Sequence, residues 1–254
     1  MTPPFRTSPR LAETGLAHGF FGREGGVSER IFTSLNTGLG SIDKPERVHE
    51  NRRRCRQALG VDHLLTLYQV HSPTVIHIEK PFDSEAPKAD AMVTTVPGIA
   101  LGVLAADCMP FLFADPDAGV IGAAHAGWRG ALAGVLEQTV KAMTALGAKP
   151  ARIIAALGPC LRQKNFEVGL DLVEAFTEKH PLAEQFFAPG ISDEKRQLDL
   201  AGFGRWRLAE SGIRAMDDLG VCTIAAAERY FSYRASRRRG EPDYGRNLSA
   251  IALA

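Results

Sequence analysis

Three residues carry most of the chemical potential of this chain: His71, Cys108 and His125. Each stands where an apolar run stops: His71 after LYQV, Cys108 after GVLAAD, His125 after GVIGAA. Such strand exits favour functional groups, because the strand is rigid and the following loop opens space for a substrate. Imidazole nitrogens and a thiolate are borderline-to-soft ligands suited to zinc or copper. The gaps of 37 and 17 residues are not those of a zinc finger, where paired ligands share one turn. They fit a site assembled from separate strands. Two His and one Cys leave a fourth tetrahedral position open, the composition of a catalytic zinc site. The same residues permit other chemistry. Cys108 with His125 as base is a nucleophilic pair for acyl transfer. Two His and one Cys is also a blue-copper set, although multicopper chemistry needs histidines grouped as His-x-His and the chain has none. The bland alternative is ordinary packing, since a lone Cys in apolar company is usually core and seven histidines form several triads by chance.

Two flanking segments add to the pattern. In ADCMP (106–110), Asp107 is placed to orient a neighbouring imidazole or to take a substrate proton. In HAGWRG (125–130), glycines allow close backbone approach, Trp128 offers a flat face, and Arg129 offers a bidentate fork for phosphate. A helix starting here presents free N–H groups to an anion. His77 alternates with Ile76 and Ile78 and reads as solvent-facing; His49 sits beside charged residues on a helix and reads as exposed.

The elements that must position these groups are legible as periodicities. Residues 64–70 and 74–78 read as two strands joined tightly at His71. Residues 99–105, 110–114, 119–124 and 152–157 read as further buried strands. Helical spacing predicts helices over 45–59, 130–146, 170–179 and 200–211. Pro45 opens the first, and Gly147 closes the second. Residues 80–87 and 189–197 read as surface loops, and 232–240 as a basic loop. Strands and helices mix without strict βαβ alternation, so the expected class is α+β with mixed β-sheets and flanking helices.

Composition bounds the rest. The chain has 254 residues, 45% hydrophobic and 23% charged, enough for one sizeable core. Thirty basic and 29 acidic residues give a net charge of +1, so nothing points to nucleic acid or to a membrane surface. MTPPFRTSPR lacks an apolar signal core, and no apolar run reaches the roughly 18 residues of a membrane span. The expectation is a cytoplasmic protein with free thiols. Cys55 and Cys222 are expected to be buried packing, and Cys160, after Gly158-Pro159, to line a pocket. No exposed apolar stripe is evident, so a monomer is expected.

The segments SLNTGLG (34–40), ENRRR (50–54), QVHSPTV (69–75), KADAMVT (88–94), AADCMPFLFADP (105–116), HAGWRGAL (125–132), LGPC (157–160), FEVG (166–169) and FSYR (231–234) occur together and in order. On these the chain resembles the YfiH family, also called laccase-domain or polyphenol oxidase-like and including FAMIN. The likeness runs from about residue 19 to the C-terminus, which suggests one YfiH-like domain over 1–254 with residues 1–18 as an N-terminal extension. The resemblance implies zinc, rather than copper, on His71, Cys108 and His125. It implies phosphorolysis of adenosine, inosine, guanosine and methylthioadenosine to base and ribose 1-phosphate, with adenosine deamination at the same site. Zinc lowers the pKa of a bound water toward about 7, which gives deamination a direct account. For phosphorolysis, Arg52 and Arg129 are candidates to hold phosphate, and Asn36 to hold a ribose hydroxyl. Ser72, Glu24 and Phe166 depart from the family pattern, in which Gly, His and Tyr are usual.

Overall fold

The computed structural model describes residues 2–82 and 85–253. In chain order its strands are β1 (Phe5–Arg6), β2 (Ala17–Phe21), β3 (His63–Thr66), β4 (Val75–His77), β5 (Ala91–Thr94), β6 (Ile99–Ala105), β7 (Met109–Asp115), β8 (Val120–Ala126), β9 (Ile154–Leu157), β10 (Glu167–Gly169), β11 (Phe187–Pro189), β12 (Lys195–Leu198), β13 (Ala215–Asp218) and β14 (Asn247–Ala252). The helices are α1 (Pro9–Glu13), α2 (Pro45–Leu59), α3 (Trp128–Ala133), α4 (Val135–Ala145), α5 (Leu170–Lys179), α6 (Leu200–Glu210) and α7 (Tyr233–Arg238).

Strand alternation builds two cores back to back. Along β7, Phe111 and Phe113 project to one face and Leu112 to the other, following the two-residue period of a strand. All seven residues of β7 and of β8 are buried, because their sheet, ordered β13-β9-β7-β8-β5-β4, is covered on both sides. One face packs on α4 and α6 through Val135, Leu136, Val140, Met143, Phe203 and Leu208. The other face meets a five-stranded sheet, β1-β2-β14-β6-β3, through Phe20, Leu101, Val103, Leu112, Ile121 and Ile251. On that sheet's outer side α2 buries Cys55 and Leu59 against Phe21, Ala100 and Leu248. A small sheet, β10-β12-β11, lies beside α5. Parallel pairs (β3 with β6, β4 with β5, β13 with β9) mix with antiparallel ones, giving the expected α+β class.

Several elements differ from the sequence reading, each for a physical reason. The runs on either side of His71 do not form a hairpin. β3 pairs with β6 in one sheet and β4 pairs with β5 in the other, so the chain crosses between sheets at His71. The backbone there is engaged elsewhere: the amides of Val70, His71 and Ser72 all donate to the Asp90 carboxylate. The helix over 130–146 is interrupted at Gly134, whose φ of 97° lies in the left-handed region that only glycine adopts freely. Residues 189–197 are not a plain loop but join β11 to β12 as an antiparallel pair. Residues 232–240 hold α7, capped by the Ser232 hydroxyl, which accepts from the Ala235 N–H at 3.1 Å. The expected 80–87 loop has its centre, 83–84, outside the described residues. Residues 5–13 are tied in, with β1 paired to β2 and Leu11 fully buried. Among the described residues, no helix is long and apolar enough to cross a membrane.

Candidate functional site

The β7–β8 hairpin sets the centre. Its register opposes Pro110 to His125 and Met109 to Ala126, which brings Cys108, one residue before β7, alongside the end of β8. His125 shares the strand face of Ile121 and Ala123, which looks toward the five-stranded sheet. His71 reaches the same point from the crossover between the sheets, at a left-handed φ of 60°. The ligand atoms of His71, Cys108 and His125 all lie within 4.8 Å of one another. Cys108 Sγ is 3.9 Å from His71 Nε2, and the two imidazole rings stand edge-on with centroids 4.9 Å apart. A tetrahedral zinc ion with Zn–S of about 2.3 Å and Zn–N of about 2.0 Å sets its sulfur and nitrogen ligands about 3.5 Å apart. The group therefore fits a divalent ion of this kind with a closure on the order of 1 Å. Gly127 makes room for it, since a Cβ there would meet His71 Cδ2 at 2.6 Å and Cys108 Sγ at 3.0 Å.

Electrostatics favour the ligand form of the thiol. Burial alone raises the Cys108 thiol, but the charge of His125 and hydrogen bonds from both imidazoles outweigh it and bring it down to about 6. Burial depresses His125, while Cys108 and Asp90 together raise it to about 9. Asp90 is fully buried, yet hydrogen bonds from His125 and the neighbouring amides hold its carboxyl down at about 2. His125 Nδ1 lies 2.9 Å from Asp90 Oδ1.

The carboxylate in contact with a site imidazole is thus Asp90, not Asp107. Asp107 accepts 2.6 Å bonds from the Thr223 hydroxyl and the Arg234 N–H, and its carbonyl accepts from Leu161 N–H. It fastens the start of α7 beside the centre, with its own backbone at φ 94°. Asn36 is buried and saturated. Its amide donates to Ser41 and Asp43, and its oxygen accepts from the N–H groups of Gly38 and Arg246. It shapes the 36–43 turn rather than facing a ligand. Arg52 is half-buried and donates to Thr37 O and Thr66 Oγ1; burial lowers its pKa, and it has no carboxylate partner among the described residues. Arg129 is exposed and stacks on Trp128 with its guanidinium carbon 4.2 Å from the ring centroid. Cys160 is buried in the helix-side core rather than in a pocket wall, and Cys222 is half-buried. Cys55 is buried, and His49 and His77 are exposed, as expected.

The centre lies between two cavities. One, of about 280 Å³, is lined by the three ligands with Gln69, Tyr244 and Arg246, and adjoins a further cavity holding Arg52. The other, of about 570 Å³, is bordered by His71 and Cys108 and walled by Trp128, Phe166, Tyr233 and Arg234. Arg129 lines this second cavity, so Arg52 and Arg129 do not share one. Asp90, Arg234, Tyr244 and Arg246 are the members that the residue types alone did not single out. Asp90 had one signal, a carboxylate directly before the buried strand AMVT.

The family model described as multi-copper polyphenol oxidoreductase laccase matches residues 17–254, and the chain belongs to that family. Its relatives include proteins named purine nucleoside phosphorylase. One, from Pseudomonas aeruginosa, is 39% identical over 218 residues, 86% of this chain and 87% of the relative. Another, from Deinococcus radiodurans, is 40% identical over 261 residues, 100% of this chain and 95% of the relative. The purine nucleoside phosphorylase YfiH of Escherichia coli is 37% identical over 220 residues, covering 86% and 88%. Among solved structures, Neisseria meningitidis protein NMB0706 superposes with a TM-score of 0.86 at 34% identity over 100% of this chain and 98% of that one. Bacillus licheniformis YfiH superposes with a TM-score of 0.87 at 28% identity, covering 94% and 93%.

Proposed function

We propose that this chain is a zinc-dependent purine nucleoside phosphorylase that also deaminates adenosine. The observation that carries the reading is the convergence of His71, Cys108 and His125 at the junction of two cavities. The names of relatives at about 40% identity support the reaction class. His71, Cys108 and His125 would hold the ion, which when bound supplies a Lewis acid and an acidified water.

The residues around it divide the remaining work. Arg52 is a guanidinium in an apolar cavity with no carboxylate partner among the described residues, a costly arrangement that an anion relieves. Phosphate is therefore assigned to the side of Arg52 and Arg246. The purine is assigned to the opposite cavity, where Trp128, Phe166, Tyr233 and Tyr244 offer flat faces. Arg129 borders the purine there rather than the phosphate. A phosphate oxygen bonds to the sugar C1′ as the glycosidic bond breaks, and the base leaves with the electron pair and takes a proton. Asp107 borders the aromatic cavity, but its oxygens accept from the Thr223 hydroxyl and the Arg234 N–H, so the proton for the base is assigned to the attacking phosphate, which gives one up as its oxygen bonds to C1′. The proposed substrates are adenosine, inosine, guanosine and methylthioadenosine.

A second reading rests on the thiol. With its thiol near 6 beside a charged His125, Cys108 has the character of a Cys–His nucleophile. A thiolate bound to metal is a poor nucleophile, so metal content separates the two. The copper oxidase reading has less support, because the seven histidines contain no His-x-His and only two join the centre.

Zinc and copper per chain and phosphate-dependent release of ribose 1-phosphate from adenosine and inosine form the test, repeated on Cys108→Ala. Stoichiometric zinc with turnover, both lost in the variant, is the expected result. Metal-free protein with no purine nucleoside turnover overturns the proposal and brings the hydrolase reading forward.

A further inference from the structure

Asp90 stands outside the ligand group, fully buried, one residue before β5. Five donors converge on its two oxygens. Oδ1 accepts from the His71 N–H at 2.9 Å and lies 2.9 Å from His125 Nδ1. Oδ2 accepts from the N–H groups of Val70 at 3.1 Å and Ser72 at 2.6 Å, and from the Ser72 hydroxyl at 3.0 Å. The Asp90 carbonyl also accepts from the His125 N–H at 2.7 Å.

We propose that Asp90 is the positioning residue of the centre: one carboxylate fixes both which nitrogen of His125 faces the ion and where the His71 turn stands. It rests on the zinc reading above, and not on which reaction the ion serves. An imidazole binds metal through a bare nitrogen, and the hydrogen bond made by its other nitrogen decides which one is bare. With Nδ1–H donating to the Asp90 carboxylate, Nε2 of His125 is the free ligand. His71 has a different problem. Its backbone is left-handed, a conformation that a non-glycine residue holds only when its surroundings enforce it. Three consecutive amides wrapped on one anion supply that enforcement. Gln69 anchors the approach, its amide making 2.7 and 2.8 Å bonds to the Leu104 backbone.

A carboxylate is needed because all five groups are donors. An asparagine has one oxygen and one amino group, so it opposes a donor with a donor on one side. Turned one way it disturbs the Val70–Ser72 turn; turned the other it demands a bare Nδ1 and moves the His125 proton onto the ligand nitrogen.

The test is Asp90→Asn in the full chain, with Zn2+ affinity measured by chelator competition and folding followed by thermal melt. Affinity is expected to fall about 10- to 100-fold, with a cooperative melt retained. A folded variant binding Zn2+ within about threefold of the parent overturns the assignment. Long-range proton–nitrogen NMR on the Zn2+-loaded parent keeps the proposal testable if the variant does not fold. A proton on His125 Nδ1 with metal on Nε2 is expected, and the reverse overturns it. A parent chain that takes up no Zn2+ removes the zinc reading and this proposal with it. A parent that binds Zn2+ beside an equally tight variant removes this proposal alone.

Discussion

At Gly127 the absence of a side chain leaves room for His71 and Cys108 to approach each other. Its φ of −70° suits any residue, so the constraint is steric and not one of backbone freedom. A methyl group there needs the space of His71 Cδ2 and Cys108 Sγ. Overpacking of this kind costs about 1–3 kcal/mol, and moving a ligand is the available relief. Gly127→Ala is therefore expected to weaken Zn2+ binding by about 5- to 150-fold, while the melt of the metal-free chain changes little. Unchanged zinc stoichiometry and affinity in this variant would contradict the steric account. The residue scale is also where the sequence was most informative about ligands and least about their supports. His71, Cys108 and His125 end apolar runs and can be picked by type. Asp90 is a lone carboxylate in KADAMVT, and only the fold brings it under both histidines. Asp107 has the better sequence position, beside Cys108, but a strand turn points its carboxylate at Thr223 and α7 instead.

Among elements, the β7–β8 hairpin has to stay in register for Cys108 and His125 to meet, and its far end is held by Asp115. That buried carboxylate accepts from the N–H groups of Ala118 at 3.2 Å and Lys149 at 2.8 Å, and from Arg152 at 2.8 Å. Burial pushes its pKa up, but these donors outweigh burial and hold it below the ordinary carboxylate range. The folded pKa is thus lower than the unfolded value of about 3.9. Its stabilisation is present above that value and is lost as pH falls through the folded pKa. Asp115→Asn is expected to cost about 1–3 kcal/mol at neutral pH, with the gap to the parent closing below about pH 4. Melting both proteins at neutral and acidic pH checks this; a gap that persists in acid would assign the loss to packing. Helices such as α2 and α5 match their sequence bounds because apolar periodicity and caps are local signals. At His71 alternation marks two strands without naming their partners, and those partners lie in different sheets, so no hairpin forms.

Over the whole molecule, two of the three site residues sit on connections that join its two larger sheets. His71 lies on the crossover from β3 to β4, and Cys108 on the crossover from β6 to β7, each leading from the five-stranded into the six-stranded sheet. His125 lies one residue before the end of β8 in the second sheet. An ion on all three would pin both crossovers to the end of the hairpin, so its binding energy becomes folding stability. Free Zn2+ at about 100 times its dissociation constant adds about 2.7 kcal/mol. At this chain length each kcal/mol moves Tm by about 2–4 °C, so the loaded protein is expected to melt about 5–10 °C above the chelated one. Cys108→Ala removes the ligand on the β6–β7 crossover and should erase most of that difference while leaving the metal-free Tm near the parent's. Calorimetry with and without chelator on both chains makes the comparison. If the parent demonstrably loses its ion to the chelator and melts at the same temperature, the crossovers are held by Asp90 and the sheet core alone, and the ion serves the site without clamping the fold.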